Sequence, residues 1–338
     1  MSHWIATLTP GLERPLLDEV KQRRPLSRPG YRRPGLITFT EPGLSPETPL
    51  FPAGCAFAQQ WGHSLGVIKA DAELPAAVAA AGLSELQVFA RPSDEDGVDD
   101  AVSARIAQVE ALLAAALPSV PAVSQARARQ ALVGLIVAPD EPTVLVRLQR
   151  SNDWGPLPGG RWPIQPPADS PSRDWAKLEE ALAWCRLPMK AGERALVLGD
   201  EGGGARLNLL RRGLRVTGVD NHPLAPVLLQ AGAEGALTQI EQPMRQLRTE
   251  ALSDPLDWLL LDVNLAPQLA LRGLRRLLPP LRKQLKGGLL SLKLNDEAAM
   301  AAVPKLIEQA AALGLGSARV RHLPSQRREL WVALGSRP

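Results

Sequence analysis

Cysteine and histidine are scarce in this chain of 338 residues, with two of the first and four of the second. Cys55 and Cys185 lie far apart without a CxxC pattern, and His3, His63, His222 and His322 have no ligand spacing. These absences exclude a disulfide-stapled scaffold and a zinc module, leave no metal to be expected, and suit a reducing cytosol. Long apolar runs are missing as well. None approaches the roughly 18 residues that a membrane span needs. The amino-terminal MSHWIATLTP has neither a basic n-region nor an apolar h-region, so no export signal is expected. The expectation is a soluble cytoplasmic protein with no membrane partner. Cations are plentiful: 39 Lys and Arg stand against 35 Asp and Glu, for a net charge of +4. Most are arginine, which suits bidentate contact with phosphate, so a nucleic-acid partner is permitted.

Residues 1–62 read as a small β-α-β module, with WIATLTPG, LERPLLDEVKQR and GLITF as its elements. Residues 63–150 read as a second α/β module, with HSLGVIKA, ELQVFARP, RQALVGLIVAP and TVLVRLQR as strands and VSARIAQVEALLAAAL as a helix. The stretch 151–173, SNDWGPLPGGRWPIQPPADSPSR, is too rich in proline and glycine for a regular element and reads as a linker. From 174 to 338 strands and helices alternate. Strands are expected at 194–198, 214–219, 236–240, 257–263, 287–294, 317–322 and 329–335. Helices are expected at 204–212, 266–286 and 296–313, the last interrupted by Pro304. Alternation of this kind predicts a doubly wound, mostly parallel sheet. The tight connection in RVRHLPSQRRELWVALG makes the last strand antiparallel, because a parallel one needs a long crossover.

ALVLGDEGGGARL, residues 195–207, is a strand running into a glycine-rich turn that opens a helix. Gly199, Gly202, Gly203 and Gly204 supply the turn, and Asp220 ends the next strand where an acid can accept hydrogen bonds from a ribose diol. Dinucleotides and S-adenosylmethionine both satisfy this pattern. A pyrophosphate would meet Asp200 and Glu201 as like charges, at a cost on the order of a kcal/mol or more. S-adenosylmethionine carries a sulfonium and an ammonium instead, so the carboxylates favour it. A nicotinamide dehydrogenase is the weaker alternative.

Four further residues are expected in the same cleft. DWLLLDV places Asp262 at the carboxyl end of one strand, GLLSLKL ends another with Lys293, RRELWVALG opens the last with Glu329, and the helix DWAKLEEA offers Lys177. A lysine amid apolar strand residues is costly unless it is paired, functional or able to reach the surface. Together the four residues resemble the Lys–Asp–Lys–Glu tetrad of FtsJ-type ribose 2′-O-methyltransferases. The whole chain resembles the bacterial 23S rRNA cytidine 2′-O-ribose methyltransferases of the RlmM type, through PADSPSRDWAKLEEA, GVDNHPL, LLLDV, LSLKL and RRELWVA, and upstream through TPGLERPLLDEV, FAQQW and LQRSNDWGP.

The resemblance implies a class I methyltransferase domain after a ferredoxin-like module and a THUMP-type RNA-binding domain. It makes Lys177, Asp262, Lys293 and Glu329 catalytic, with Lys293 as the base and a second lysine plus partial burial lowering its pKa. It assigns the methyl donor S-adenosylmethionine to Asp174, Gly199, Glu201, Gly202, Gly203, Gly204, Asp220 and Asp262, and 23S rRNA as partner.

Departures fall on the donor side. Val197 replaces an acid, DEGGG replaces the usual entry to the turn with only Gly203 and Gly204 matching closely, Asp174 stands where the group has serine, and Glu241 is the nearest match to a third-strand acid. Either the donor is held by rearranged contacts, or the chain is a non-catalytic RNA-binding relative. Three basic groups complete the picture: Lys21, Arg23, Arg24, Arg28, Arg32 and Arg33; then Arg272, Arg275, Arg276, Arg282, Lys283 and Lys286 on one helix; then Arg319, Arg321, Arg327 and Arg328 beside the cleft. Trp154 and Trp162 could stack on bases or pin the linker.

Overall fold

The computed structural model describes residues 2–51, 54–93, 99–124, 131–148, 157–252, 255–326 and 328–335. The chain divides into two compact units, Met1–Trp162 and Pro163–Pro338. Both are mixed α/β, each built on a seven-stranded sheet.

In the first unit the elements are β1 (Ser2–Thr7), α1 (Glu13–Arg23), β2 (Arg28–Arg33), β3 (Leu36–Glu41), β4 (Gln60–Ile68), α2 (Leu74–Ala80), β5 (Leu86–Ala90), α3 (Asp100–Ala116), β6 (Leu132–Val137) and β7 (Thr143–Leu148). The strand order is β2-β3-β1-β4-β7-β6-β5. Strand β4 pairs with β1 on one side and β7 on the other. A division at 62/63 therefore falls inside a strand, and one sheet runs through both of the modules read from sequence. Leu74, Val78, Val109 and Leu113 of α2 and α3 pack on Val133 and Leu135 of β6, and Trp4 stacks on Phe39 at 4.1 Å.

The second unit runs α4 (Asp174–Cys185), β8 (Arg194–Gly199), α5 (Gly204–Arg211), β9 (Arg215–Asp220), α6 (Pro226–Ala233), β10 (Leu237–Glu241), β11 (Trp258–Asp262), α7 (Pro267–Leu281), β12 (Gly287–Lys293), α8 (Glu297–Ala301), α9 (Val303–Ala311), β13 (Ala318–His322) and β14 (Glu329–Gly335). Its strand order is β10-β9-β8-β11-β12-β14-β13. Pairings from β10 to β12 are parallel, and β14 is antiparallel to both of its neighbours. The sheet is doubly wound, with β8 at the point where the strand order reverses, and in such sheets ligands lie beyond the carboxyl ends of the strands. Strands β8, β11 and β12 are near-continuous apolar runs because both faces of the sheet are covered. Helix α7 buries Leu271, Leu274, Leu278 and Leu281 at helical spacing and leaves Arg272, Arg275 and Arg276 in solvent. Among the described residues no helix is long and apolar enough to cross a membrane, and no three His, Cys, Asp or Glu side chains converge as metal ligands would.

Candidate active site

An open cleft of about 1120 Å³ lies over the carboxyl ends of the parallel strands. Gly199, Asp220, Asp262 and Lys293, the last residues of β8, β9, β11 and β12, all line it. Strand register brings the next group in. Lys293 sits directly opposite Glu329 in the β12–β14 pair, so the two side chains share a face. Asp262 closes β11, the neighbour of β12 on its other side. Lys177 comes from the first turn of α4, three residues after Asp174 and on the same helix face.

Hydrogen bonds join these side chains into one network. Lys293 Nζ donates to Asp262 Oδ1 at 2.7 Å and lies 3.0 Å from Glu329 Oε1. Lys177 Nζ reaches the same Glu329 oxygen at 2.8 Å and Asp174 Oδ1 at 3.1 Å. Ser291, two residues before Lys293 on β12, donates to Glu329 Oε2 at 2.9 Å and accepts from Lys293 at 3.3 Å. Sequence reasoning missed Ser291. Its signal was the i, i+2 spacing from Lys293, which puts both side chains on one side of the strand.

Acids dominate the surroundings of Lys177. Burial works to lower its pKa, but Glu329, Asp174 and Asp262 outweigh it and lift the amine above the ordinary lysine range. Burial raises the Asp262 carboxyl, against the pull of Lys293 and with help from Glu329 and Asp174. Burial also works on Glu329, but Lys293 and Lys177 hold it below the usual carboxylate value.

The glycine turn is organised differently from its sequence reading. Asp200 does not face a ligand. It is 1% exposed, with φ +77°, and its carboxylate caps α5, accepting from Ala205 N at 3.0 Å and Arg206 N at 2.8 Å. Arg206, also 1% exposed, closes on it through Nε at 3.2 Å and through Nη2 to the backbone carbonyl at 2.8 Å. Burial pushes the Asp200 carboxyl up to about 7, with Arg206 and the two backbone donors opposing it. Gly204 N donates to Ser172 Oγ at 3.2 Å. The leading N–H groups of α5, which an anionic ligand would use, are thus occupied from within.

Gly199 touches the cleft with φ +90°, and a Cβ there would come within 2.1 Å of the Asp262 carbonyl oxygen. Gly202, Gly203 and Gly204 stand behind the lining. Added Cβ atoms there would meet Ser172, Leu228 and Ser172 at 3.0, 2.4 and 2.4 Å. The turn needs glycine to fit against its own neighbours. Glu201 lines the cleft with its side chain 72% exposed. Asp220 is nearly buried, and its Oδ1 accepts from His222 N at 2.8 Å and lies 2.6 Å from His222 Nδ1. Sequence reasoning passed over His222. Val197 is fully buried in the core, and Glu241 is exposed and outside the lining.

Much of the positive charge is already engaged in structure. In the first unit Arg23 binds Glu19 and the Gly54 carbonyl, Arg24 binds Glu41, and Arg33 binds Glu141. Lys21 and Arg32 are exposed. In the second unit α7 ends at Leu281, so Lys283 and Lys286 lie past the helix, and Lys286 pairs with Glu193 and Asp257. Arg276 donates to the carbonyls of Met244, Arg245 and Leu247, while Arg272 lines the cleft. Arg319 donates to the Cys185 carbonyl, Arg321 is 1% exposed, and Arg328 donates to the Asn295 carbonyl. Arg319 and Arg321 are thus held within the fold, while Arg328 is exposed. Trp162 is half-buried, and Arg327 and Trp154 lie outside the described residues.

No family model matches the chain. Curated relatives do. The chain is 36% identical over 120 residues to ribosomal RNA large subunit methyltransferase M of Methylococcus capsulatus, covering 33% of this chain and 31% of that protein. It is 40% identical over 135 residues to the protein of that name from Halorhodospira halophila, covering 37% and 35%. With the one from Alkalilimnicola ehrlichii it is 31% identical over 146 residues, covering 40% and 38%. Over that stretch the chain resembles ribosomal RNA large subunit methyltransferase M. The match spans about a third of the length of these relatives. Among solved structures, TrmN from Thermus thermophilus is 18% identical with a TM-score of 0.37, covering 99% of this chain and 100% of that one, a likeness too low to bear on fold or function.

Proposed function

We propose that the chain transfers a methyl group from S-adenosylmethionine to a ribose 2′-hydroxyl of 23S rRNA, at a cytidine, and works in the cytoplasm. The second unit is then a class I methyltransferase domain, and the first carries the ferredoxin-like and THUMP-type RNA-binding parts on its continuous sheet. The observation that carries the reading is the meeting of Lys177, Asp262, Lys293 and Glu329, drawn from four separate elements, at the carboxyl edge of a doubly wound sheet. The partial match to named rRNA methyltransferases supports it.

The chemistry of the cleft fits the donor. Glu201, Asp220 and Asp262 present carboxylates that suit a sulfonium and an ammonium, and the leading donors of α5 are taken by Asp200 and Ser172, which disfavours a pyrophosphate and hence a nicotinamide cofactor. Asp220 would accept the donor's ribose diol through Oδ2, since Oδ1 is held by His222, and Gly199, Glu201 and Asp262 would flank the rest. The bound donor supplies an electrophilic methyl carbon whose bond to sulfur breaks as the bond to the 2′-oxygen forms. Lys293 takes the hydroxyl proton as the general base. Lys177 and Glu329 fix the sugar, and Asp262 orients Lys293. Much of the acceleration comes from alignment.

The test is transfer of labelled methyl from S-adenosylmethionine to deproteinised 23S rRNA, alongside calorimetric binding of the donor. Transfer by the wild type that Lys293→Ala loses, with donor affinity kept, is expected. RNA binding without donor binding would replace this reading with that of a non-catalytic relative.

A further inference from the structure

We infer that Asp174 is a positioning residue that acts on Lys177, holding its ammonium against Glu329, and is not a contact for the methyl donor. Asp174 lies at the start of α4, and its Oδ1 is 3.1 Å from Lys177 Nζ. Its other oxygen is engaged too: Ser172 Oγ donates to Oδ2 at 3.2 Å. The same Ser172 oxygen accepts from Asp174 N at 3.3 Å and from Gly204 N at 3.2 Å. Asp174 borders the cleft, but its carboxylate is clamped between the lysine and the glycine turn, with both oxygens already engaged. Lys177 in turn donates to Glu329 at 2.8 Å and forms an ion pair with Asp174.

Charge gives this clamp a consequence. The groups facing Lys177 are Asp174 from its own helix, Glu329 from β14, Asp262 from β11 and Lys293 from β12. Without Asp174 two carboxylates face two amines; with it the acids outnumber them, and Lys177 stays cationic over the working pH range. Lys177 is then a fixed donor aimed at the sugar, beside Lys293 as the proposed base. The inference rests on the proposed methyl transfer for its kinetic arm only.

The experiment uses the full chain and the substitution Asp174→Asn, which keeps shape and removes charge, with Asp174→Glu as the charge-preserving control. Acetic anhydride labelling across pH, read by mass spectrometry, follows Lys177 as an individual amine without donor or RNA. The inference expects the Lys177 profile of D174N to move down by about one pH unit or more and that of D174E to stay near wild type. Calorimetry expects donor affinity within twofold of wild type, and the pH dependence of kcat gains a high-pH fall in D174N. An unmoved Lys177 profile overturns the inference, as does a tenfold or greater loss of donor affinity. Should no variant, wild type included, transfer methyl, the labelling arm still decides on Asp174 while the proposed function fails separately.

Discussion

At the residue scale the site is a balance among buried charges, and that balance sets what substitutions do. Removing Lys293 deletes the proposed proton acceptor and strands Asp262, while Glu329 keeps Lys177 and Ser291. Lys293→Ala is expected to lower methyl transfer by about 10²–10⁴-fold and to cost on the order of 3 kcal/mol, because the buried Asp262 carboxylate loses its partner. Steady-state transfer and urea unfolding measure the two effects. Glu329 has its folded pKa below the ordinary carboxylate value of 4.5, through Lys293 and Lys177 working against burial. Its stabilisation is therefore complete above about pH 4.5 and is lost as pH falls through the folded value. Melting temperatures of wild type and Glu329→Gln should differ at pH 7 and converge in acid; a constant gap would contradict the assignment. Lys293 stood out in sequence as a lysine amid leucines, and Glu329 joined it through the resemblance to the tetrad. Ser291 was within reach through its i, i+2 spacing from Lys293, whereas Ser172 and His222 were not, because each takes its place from a loop closure.

Elements were the most legible level. Expected strands at 194–198, 287–294 and 329–335 became 194–199, 287–293 and 329–335, since long apolar runs bounded by glycine or charge leave little choice. Pro304 split the last long helix into α8 and α9, as a missing N–H dictates. The glycine turn was found but misread. Sequence spacing shows that Asp200 follows the strand; it does not show that φ +77° turns the carboxylate inward to cap α5 beside Arg206. Asp200→Ala should cost about 3–5 kcal/mol, because it removes a cap and leaves a buried guanidinium unpaired. Pairing it with Arg206→Met should recover a measurable part of that loss in denaturant titration. Gly199→Ala places a methyl group against the Asp262 backbone, so it should shift Asp262 away from Lys293 and depress both stability and transfer.

For the whole molecule, the two compact units imply separable jobs. Residues 163–338 hold the complete doubly wound sheet and every lining residue of the cleft. That segment expressed alone should bind S-adenosylmethionine as the full chain does, and lose about tenfold or more of the affinity for rRNA, measured by filter binding. The division of 1–150 into two modules was the least legible feature, because β4 belongs to both sides of a continuous sheet and nothing local in FAQQWGHSLG marks a strand shared in that way. Part of the arginine content serves the fold itself, with Arg24, Arg206, Arg276 and Arg319 bound to internal acids and carbonyls. We propose that Lys293, Asp262, Lys177 and Glu329 act on a sugar hydroxyl. The most direct measurement of that chemistry is the fate of labelled methyl in alkali-digested rRNA, because a methylated 2′-oxygen cannot attack the adjacent phosphodiester. Label is expected in an alkali-resistant dinucleotide, present with wild type and missing with Lys293→Ala. Label released as a methylated-base mononucleotide, or undiminished by Lys293→Ala, would contradict it.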